Sequence, residues 1–135
     1  MQMIVERVAG NRLEARTDTA SVVVDRPAAE RGESDAFRSG ELLLASLGTC
    51  MLGTMLTFAE REGIAVDNVR VELKPLVALN PERISKIRMT MFIGGELTDG
   101  ELDQLRKAAE GCKIHNTLHA GARTELTVKP AAVTG

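Results

Sequence analysis

The stretch Ser39 to Glu62, SGELLLASLGTCMLGTMLTFAERE, decides the fold. Inside it, Leu42 to Ala59 is a run of 18 residues without a charge, which touches the lower bound for a membrane span. The sequence argues for a protein-covered helix instead. Ser46, Gly48, Thr49, Gly53, Thr54 and Thr57 dilute the hydrophobicity, Glu41 and the run Glu60-Arg61-Glu62 bracket it tightly, and the rest of the chain alternates as a soluble sheet does. A helix that is apolar all round is what a core element looks like when it is covered on every side. Ser39 is the expected N-cap and Gly63 the expected stop, which gives a central helix over 40–62 with Cys50 near its middle.

Upstream, Met1 to Arg16 alternates loosely around the turn signal Ala9-Gly10-Asn11, and Ser21 to Asp25 (SVVVD) is β-branched. Two or three antiparallel strands are expected within residues 1–25, followed by a polar loop over 26–39. Downstream, Val69 to Leu79 and Lys86 to Ile93 alternate with period two on either side of Asn80-Pro81-Glu82, a hairpin within 69–95. Pro75 marks an edge or a bulge in its first strand. Thr98 with Glu101 forms a T-x-x-E capping box for a helix over 98–110. Gly111 ends it, Cys112 opens a second helix over 112–120, Gly121 closes that one, and Arg123 to Lys129 alternates as a last strand over 123–129.

The order ββ(β)αββααβ describes one α+β domain spanning 1–135, with no internal repeat. A single sheet covers only one side of a helix. The economical arrangement for an all-apolar helix is a homodimer in which two antiparallel sheets pack on the long central helices.

The net charge of −2 comes with no basic stripe, and three Phe with no Trp or Tyr leave little for a base to stack on. Nucleic acid is excluded as a natural partner. The N-terminus, MQMIVERVAGNR, lacks the basic, apolar and small-residue regions of a signal peptide, so a cytoplasmic location and no membrane partner are expected. At 135 residues the chain can bury a core without disulfide staples. In a reducing compartment a cysteine pair is more often catalytic, redox-active or metal-binding than a permanent crosslink.

Thiol and imidazole chemistry must draw on Cys50, Cys112, His115 and His119, the only cysteines and histidines. Cys50 sits mid-helix in GTCMLG, where a small core residue with a raised pKa is the plain expectation. Cys112 follows a helix-ending glycine at the first turn of a new helix, where free N–H groups favour a thiolate. Three readings stay open. Cys112, His115 and His119 at C-x2-H-x3-H spacing share a helix face and bind a metal; or all four residues merely pack; or the thiols form a redox pair in which one attacks and the other resolves.

SGELLLASLGTC, followed about sixty residues later by an amphipathic helix and GCKIHNTL, resembles the OsmC/Ohr family of thiol-dependent hydroperoxide-handling proteins. In that family a cysteine in a long central helix pairs with a second at the start of a late helix, often in a C-P-[VIY]-[SH]-x-[TA]-L context. The resemblance implies an intertwined homodimer with active sites at the subunit interface, in oxidative-stress defence. It makes Cys50 the peroxidatic thiolate and Cys112 the resolving thiol. It also implies an organic hydroperoxide substrate, a dithiol reductant such as dihydrolipoamide, and no cofactor. An arginine in the N-terminal hairpin would activate the thiolate, matched here by Arg12 in AGNRLEAR with Arg16 and Arg38 as substitutes. A glutamate at the start of the central helix would position that arginine. The family's usual acidic position falls on Gly40, and Glu41 stands one residue late. Lys113 occupies the place of the proline. Other classes compatible with the residues are a non-catalytic ligand-binding dimer and the metal-binding protein.

Overall fold

The computed structural model describes residues 2–26 and 35–131. Three strands, β1 (Ile4–Ala9), β2 (Arg12–Arg16) and β3 (Ser21–Asp25), form an antiparallel meander in the order β1-β2-β3. Gly10 has φ +56°, so the hairpin turn between β1 and β2 uses a conformation that glycine adopts without steric cost. The loop expected over 26–39 lies mostly outside the described residues. At its far end Phe37 bridges to Val24, with the Asp25 N–H donating to the Phe37 carbonyl at 3.0 Å.

The central helix, α1 (Ser39–Glu62), starts one residue earlier than expected. Arg38, not Ser39, is the N-cap, because its extended backbone (φ −93°, ψ 161°) directs its N–H to the Glu41 carboxylate at 2.8 Å. Gly63 ends α1 in the left-handed conformation, as expected. The hairpin β4 (Val69–Ala78) and β5 (Arg83–Ile93) is an antiparallel pair running from Val69 opposite Ile93 to Ala78 opposite Arg83. Its register slips between Leu76 and Val77. The bulge beside Pro75 reverses the alternation, so Val77 and Leu79 turn outward at 62% and 69% exposure.

Two helices follow, α2 (Asp99–Glu110) and α3 (Lys113–Ala120). Thr98 and Glu101 form the expected capping box, with the Glu101 N–H donating to Thr98 Oγ1 at 3.1 Å. The expected strand over 123–129 is not formed within the chain. Residues 121–131 carry no regular structure and lie exposed, Leu126 at 89% and Val128 at 84%, because no sheet edge of the same chain pairs with them.

The core lies along one stripe of α1: Leu47, Met51, Met55 and Ala59, spaced by four residues, close over Leu105 and Ala109 of α2 and over Cys112. Val69, Leu73, Met89 and Met91 of the hairpin pack against the same cluster. Gly48 is where the hairpin comes closest. A Cβ there would meet Leu73 Cδ1 at 3.1 Å and Val71 Cγ1 at 3.4 Å. The opposite side of α1 is bare, with Ser46, Thr49, Gly53 and Thr57 exposed. By length and composition α1 could cross a membrane; here one of its faces is a packed protein core.

Candidate active site

Two residues converge from opposite ends of the helical half of the chain. Cys50 comes from the middle of α1, partly buried, and Cys112 is the N-cap of α3, 1% exposed; both are free thiols. The turn at Gly111 explains the arrival of Cys112. It halts α2, and the extended backbone at Cys112 (φ −75°, ψ 152°) starts a new helix whose first turn abuts α1. Cys112 Sγ accepts from the His115 N–H at 3.2 Å, standing in for the oxygen of an ordinary cap.

The two thiols ionise in opposite senses. The Cys50 thiol is held below its ordinary value, chiefly by the backbone N–H of Ile114, against an opposing penalty from burial. The Cys112 side chain, the Lys113 N–H and the Thr54 hydroxyl, one turn along α1, lower it further. Cys112 is pushed up, first by burial and further by donating to Cys50, despite the bond from His115. This is the opposite of what helix position alone suggested for Cys112, and the same sense as the resemblance implied for Cys50.

The metal reading fails on the same geometry. Cys112 is outside the helix that bears His115 and His119, so the shared-face argument does not extend to it, and its sulfur turns to Cys50 and the His115 N–H. The two imidazoles pack on each other, centroids 5.4 Å apart. Among the described residues no group of three or more His, Cys, Asp or Glu is placed to hold a metal ion.

Arg12 is elsewhere. At the start of β2 it stands opposite Asp25, donating from Nε at 3.1 Å and Nη2 at 3.4 Å to a carboxylate on a residue only 5% exposed, and Nη2 also reaches Asp35. Both carboxylates raise the guanidinium's pKa, Asp25 most. Arg16 is taken by Glu6 at 2.7 Å. Glu41 holds the Arg38 N–H. No arginine is among the groups that shift Cys50. Within one chain, the thiols are assembled and the predicted arginine is not beside them.

A cleft of about 900 Å³ opens on the other side of α1, between Met51, the β5 residues Ile87, Met89 and Met91, and the α3 residues His115 and Leu118. Neither cysteine lines it. His115 Nδ1 is buried there with no hydrogen-bond partner among the described residues. The sequence does not reveal this cleft, because its walls come from α1, both strands of the hairpin, α2 and α3, which are spread along the chain.

A cysteine in a long central helix facing a second at the cap of a late helix, on a frame of two antiparallel sheets, defines a class of small α+β two-thiol proteins. A family model of OsmC-like proteins matches residues 32–127, and the chain belongs to that family. Solved structures share the fold. A candidate osmotic stress induced and detoxification response protein of Psychrobacter arcticus 273-4 is 23% identical, with 87% of each chain covered and a TM-score of 0.77. An OsmC-like protein of Mycoplasma pneumoniae is 19% identical, with 88% of each chain covered and a TM-score of 0.73. An organic hydroperoxide resistance protein OsmC of Legionella pneumophila is 20% identical over 87% of this chain and 89% of its own, with a TM-score of 0.64. No curated protein matches.

Proposed function

We propose that this protein is a cysteine-based thiol peroxidase that reduces organic hydroperoxides in the cytoplasm as a homodimer. The observation that carries the reading is the meeting of two free thiols in one cluster, Cys50 from the middle of α1 packed against the core that holds Cys112 at the cap of α3; the surroundings hold the Cys50 thiol down and push the Cys112 thiol up. The Cys50 thiolate attacks the distal peroxide oxygen, the O–O bond breaks, and the alkoxide leaves and takes up a proton as the alcohol. Cys50 is now a sulfenic acid. Cys112 attacks its sulfur, water leaves, and a disulfide joins the two. A dithiol reductant of the dihydrolipoamide type returns both thiols by exchange.

The homodimer is supported by what one chain leaves uncovered. Ile4, Val5 and Val8 of β1 are 41–59% exposed, and the bare face of α1 runs through Ser46, Gly53 and Thr57 on either side of Cys50. The Thr49 and Thr57 hydroxyls donate to carbonyls of their own helix at 2.8 and 2.9 Å, which leaves that face smooth enough for a second helix. In this reading Arg12 reaches the thiolate across the subunit interface, and Asp25, rather than Glu41, holds it in place.

Treatment with one equivalent of cumene hydroperoxide followed by mass spectrometry tests the proposal. The expected product is a Cys50–Cys112 disulfide, two hydrogen atoms lighter. Thiols left intact would sink it. The 900 Å³ cleft supports a second reading, a non-catalytic ligand-binding member; a bound apolar molecule seen by native mass spectrometry, with peroxide-inert thiols, would favour that one.

A further inference from the structure

We propose that the cleft between α1, the β4–β5 hairpin, α2 and α3 is a binding site for a long-chain monocarboxylate, with the apolar chain along its methionines and the head on the imidazole of His115. The site is separate from the thiols, which do not line it. The inference stands whether or not they turn over peroxide.

The inward face of β5 is the floor. Ile87, Met89, Met91 and Ile93 recur with period two and are only half-buried, because α1 packs over β4, closest where Gly48 meets Val71 and Leu73. The lining runs along the strand from Ile84 to Ile93, and at about 3.3 Å per residue that is a trough on the order of 30 Å long. A volume of about 900 Å³ spread over that length is long and narrow, and it lies within the range of small-molecule sites. An unbranched chain suits that shape better than a compact ring system. Three of the six methionines of the chain, Met51, Met89 and Met91, line it, and their unbranched thioether side chains adjust to a flexible apolar guest.

The polar groups decide the head. His115 Nδ1 is buried with no hydrogen-bond partner among the described residues, while His119 packs on its ring, centroids 5.4 Å apart. Buried polar atoms are nearly always paired, so an orphan that lines a cleft marks the place of a missing partner. On the walls, Glu110 is held by Arg106 at 3.0 Å, and Arg106 also by Asp103 at 2.9 Å. Lys86 makes no ion pair among the described residues, so the charge left over in the lining is positive. A carboxylate meets both requirements: it accepts from an imidazole N–H and complements the cation. A second copy of the chain is the competing occupant, but the surfaces that support the homodimer, β1 and the face of α1 through Ser46, Gly53 and Thr57, do not line the cleft.

The test uses full-length protein with isotope-labelled methionine methyl groups, titrated with dodecanoate below its micelle concentration and, in parallel, with dodecylammonium. The Met51, Met89 and Met91 resonances are expected to shift and saturate with dodecanoate, while Met55, fully buried in the core, and the exposed Met3 stay in place. Dodecylammonium is expected to bind several-fold more weakly. Lys86→Gln and His115→Phe, which keeps an aromatic ring and loses both nitrogens, are each expected to weaken dodecanoate several-fold. Equal affinity for the two amphiphiles, or shifts spread over all the methionines, overturns the proposal.

Should His115→Phe disturb α3, the native imidazole decides. In protein with nitrogen-labelled histidine, the His115 Nδ1 resonance is expected to move on saturation with dodecanoate, and an unmoved one refutes the anchor. Methyl resonances that ignore dodecanoate but change on dilution of the protein would show that a second copy fills the cleft, which also overturns the site. None of these readouts involves peroxide. Binding by a protein whose thiols stay intact on peroxide treatment sinks the peroxidase reading alone; a disulfide without dodecanoate binding sinks this inference alone.

Discussion

The helical half of the molecule and the N-terminal sheet are built to different degrees of completion. In the first, Met55 and Leu105 are fully buried and two thiols meet with their donors in place. In the second, every residue of β1 is exposed, and an arginine is locked to Asp25 and Asp35 with no thiol for it to serve. One half closes a core within a chain, although one face of α1 stays bare. The other leaves the apolar residues Ile4, Val5 and Val8 exposed, and under the proposed homodimer that is where a second copy would sit.

The comparison is broken most severely at the sulfurs. Cys50→Ser is expected to reduce turnover of an organic hydroperoxide to background, while Cys112→Ser allows one oxidation and then stalls, both read by stopped flow. Equal loss in the two variants would mean that the thiols do not divide the roles of attack and resolution.

Next in size comes packing. Leu105→Ala empties a site with no exposure and is expected to cost about 2–5 kcal/mol in denaturant unfolding. Val8→Ala in β1 removes a side chain that is 59% exposed, and within one subunit it should cost no more than about 0.5 kcal/mol. The contrast sharpens if Val8→Asp lowers the apparent mass by size-exclusion chromatography while secondary structure survives. Unaltered mass would place the subunit contact elsewhere.

How far this architecture is legible in sequence follows the same division. Period-two alternation announced β4 and β5, Pro75 marked the bulge, and the T-x-x-E signal at Thr98 placed the start of α2, because each is a local pattern. The strand expected over 123–129 has the right alternation in Leu126 and Val128, yet a strand needs a neighbour, and alternation does not say which chain supplies one. The thiols follow the same rule. Helix position alone favoured a thiolate at Cys112 and the resemblance favoured one at Cys50; the groups that lower Cys50 and the burial that raises Cys112 come from a contact between residues 62 positions apart, which local pattern does not show. The resemblance singled out Arg12 by its hairpin context; the carboxylate it meets was not legible, since Asp25 becomes its partner only through the β2–β3 register.

That register frames a smaller expected effect. Arg12→Ala should slow peroxide reduction on the order of 100-fold, the scale of losing one charge-stabilising donor from a reacting centre. It should leave the Cys50 midpoint close to wild type, because the groups that lower it belong to α3 and α1. Steady-state rates beside an alkylation titration separate the two. A midpoint that rises as far as the rate falls would show the arginine to be the activator, and would join the two halves of the molecule more tightly than their contacts within one chain do.

The mildest test is Thr54→Val, which deletes one hydroxyl donor and keeps the shape. Losing a single hydrogen bond, about 0.5–1.5 kcal/mol, raises the Cys50 pKa. The sign follows from the thiolate being the reactive form. Donors to the thiolate lower its pKa, so removing one moves the alkylation profile to higher pH. Below the wild-type midpoint the variant should react a few-fold more slowly, and well above both midpoints the two curves should meet. Coincident profiles at every pH would leave α3 as the source of the activation.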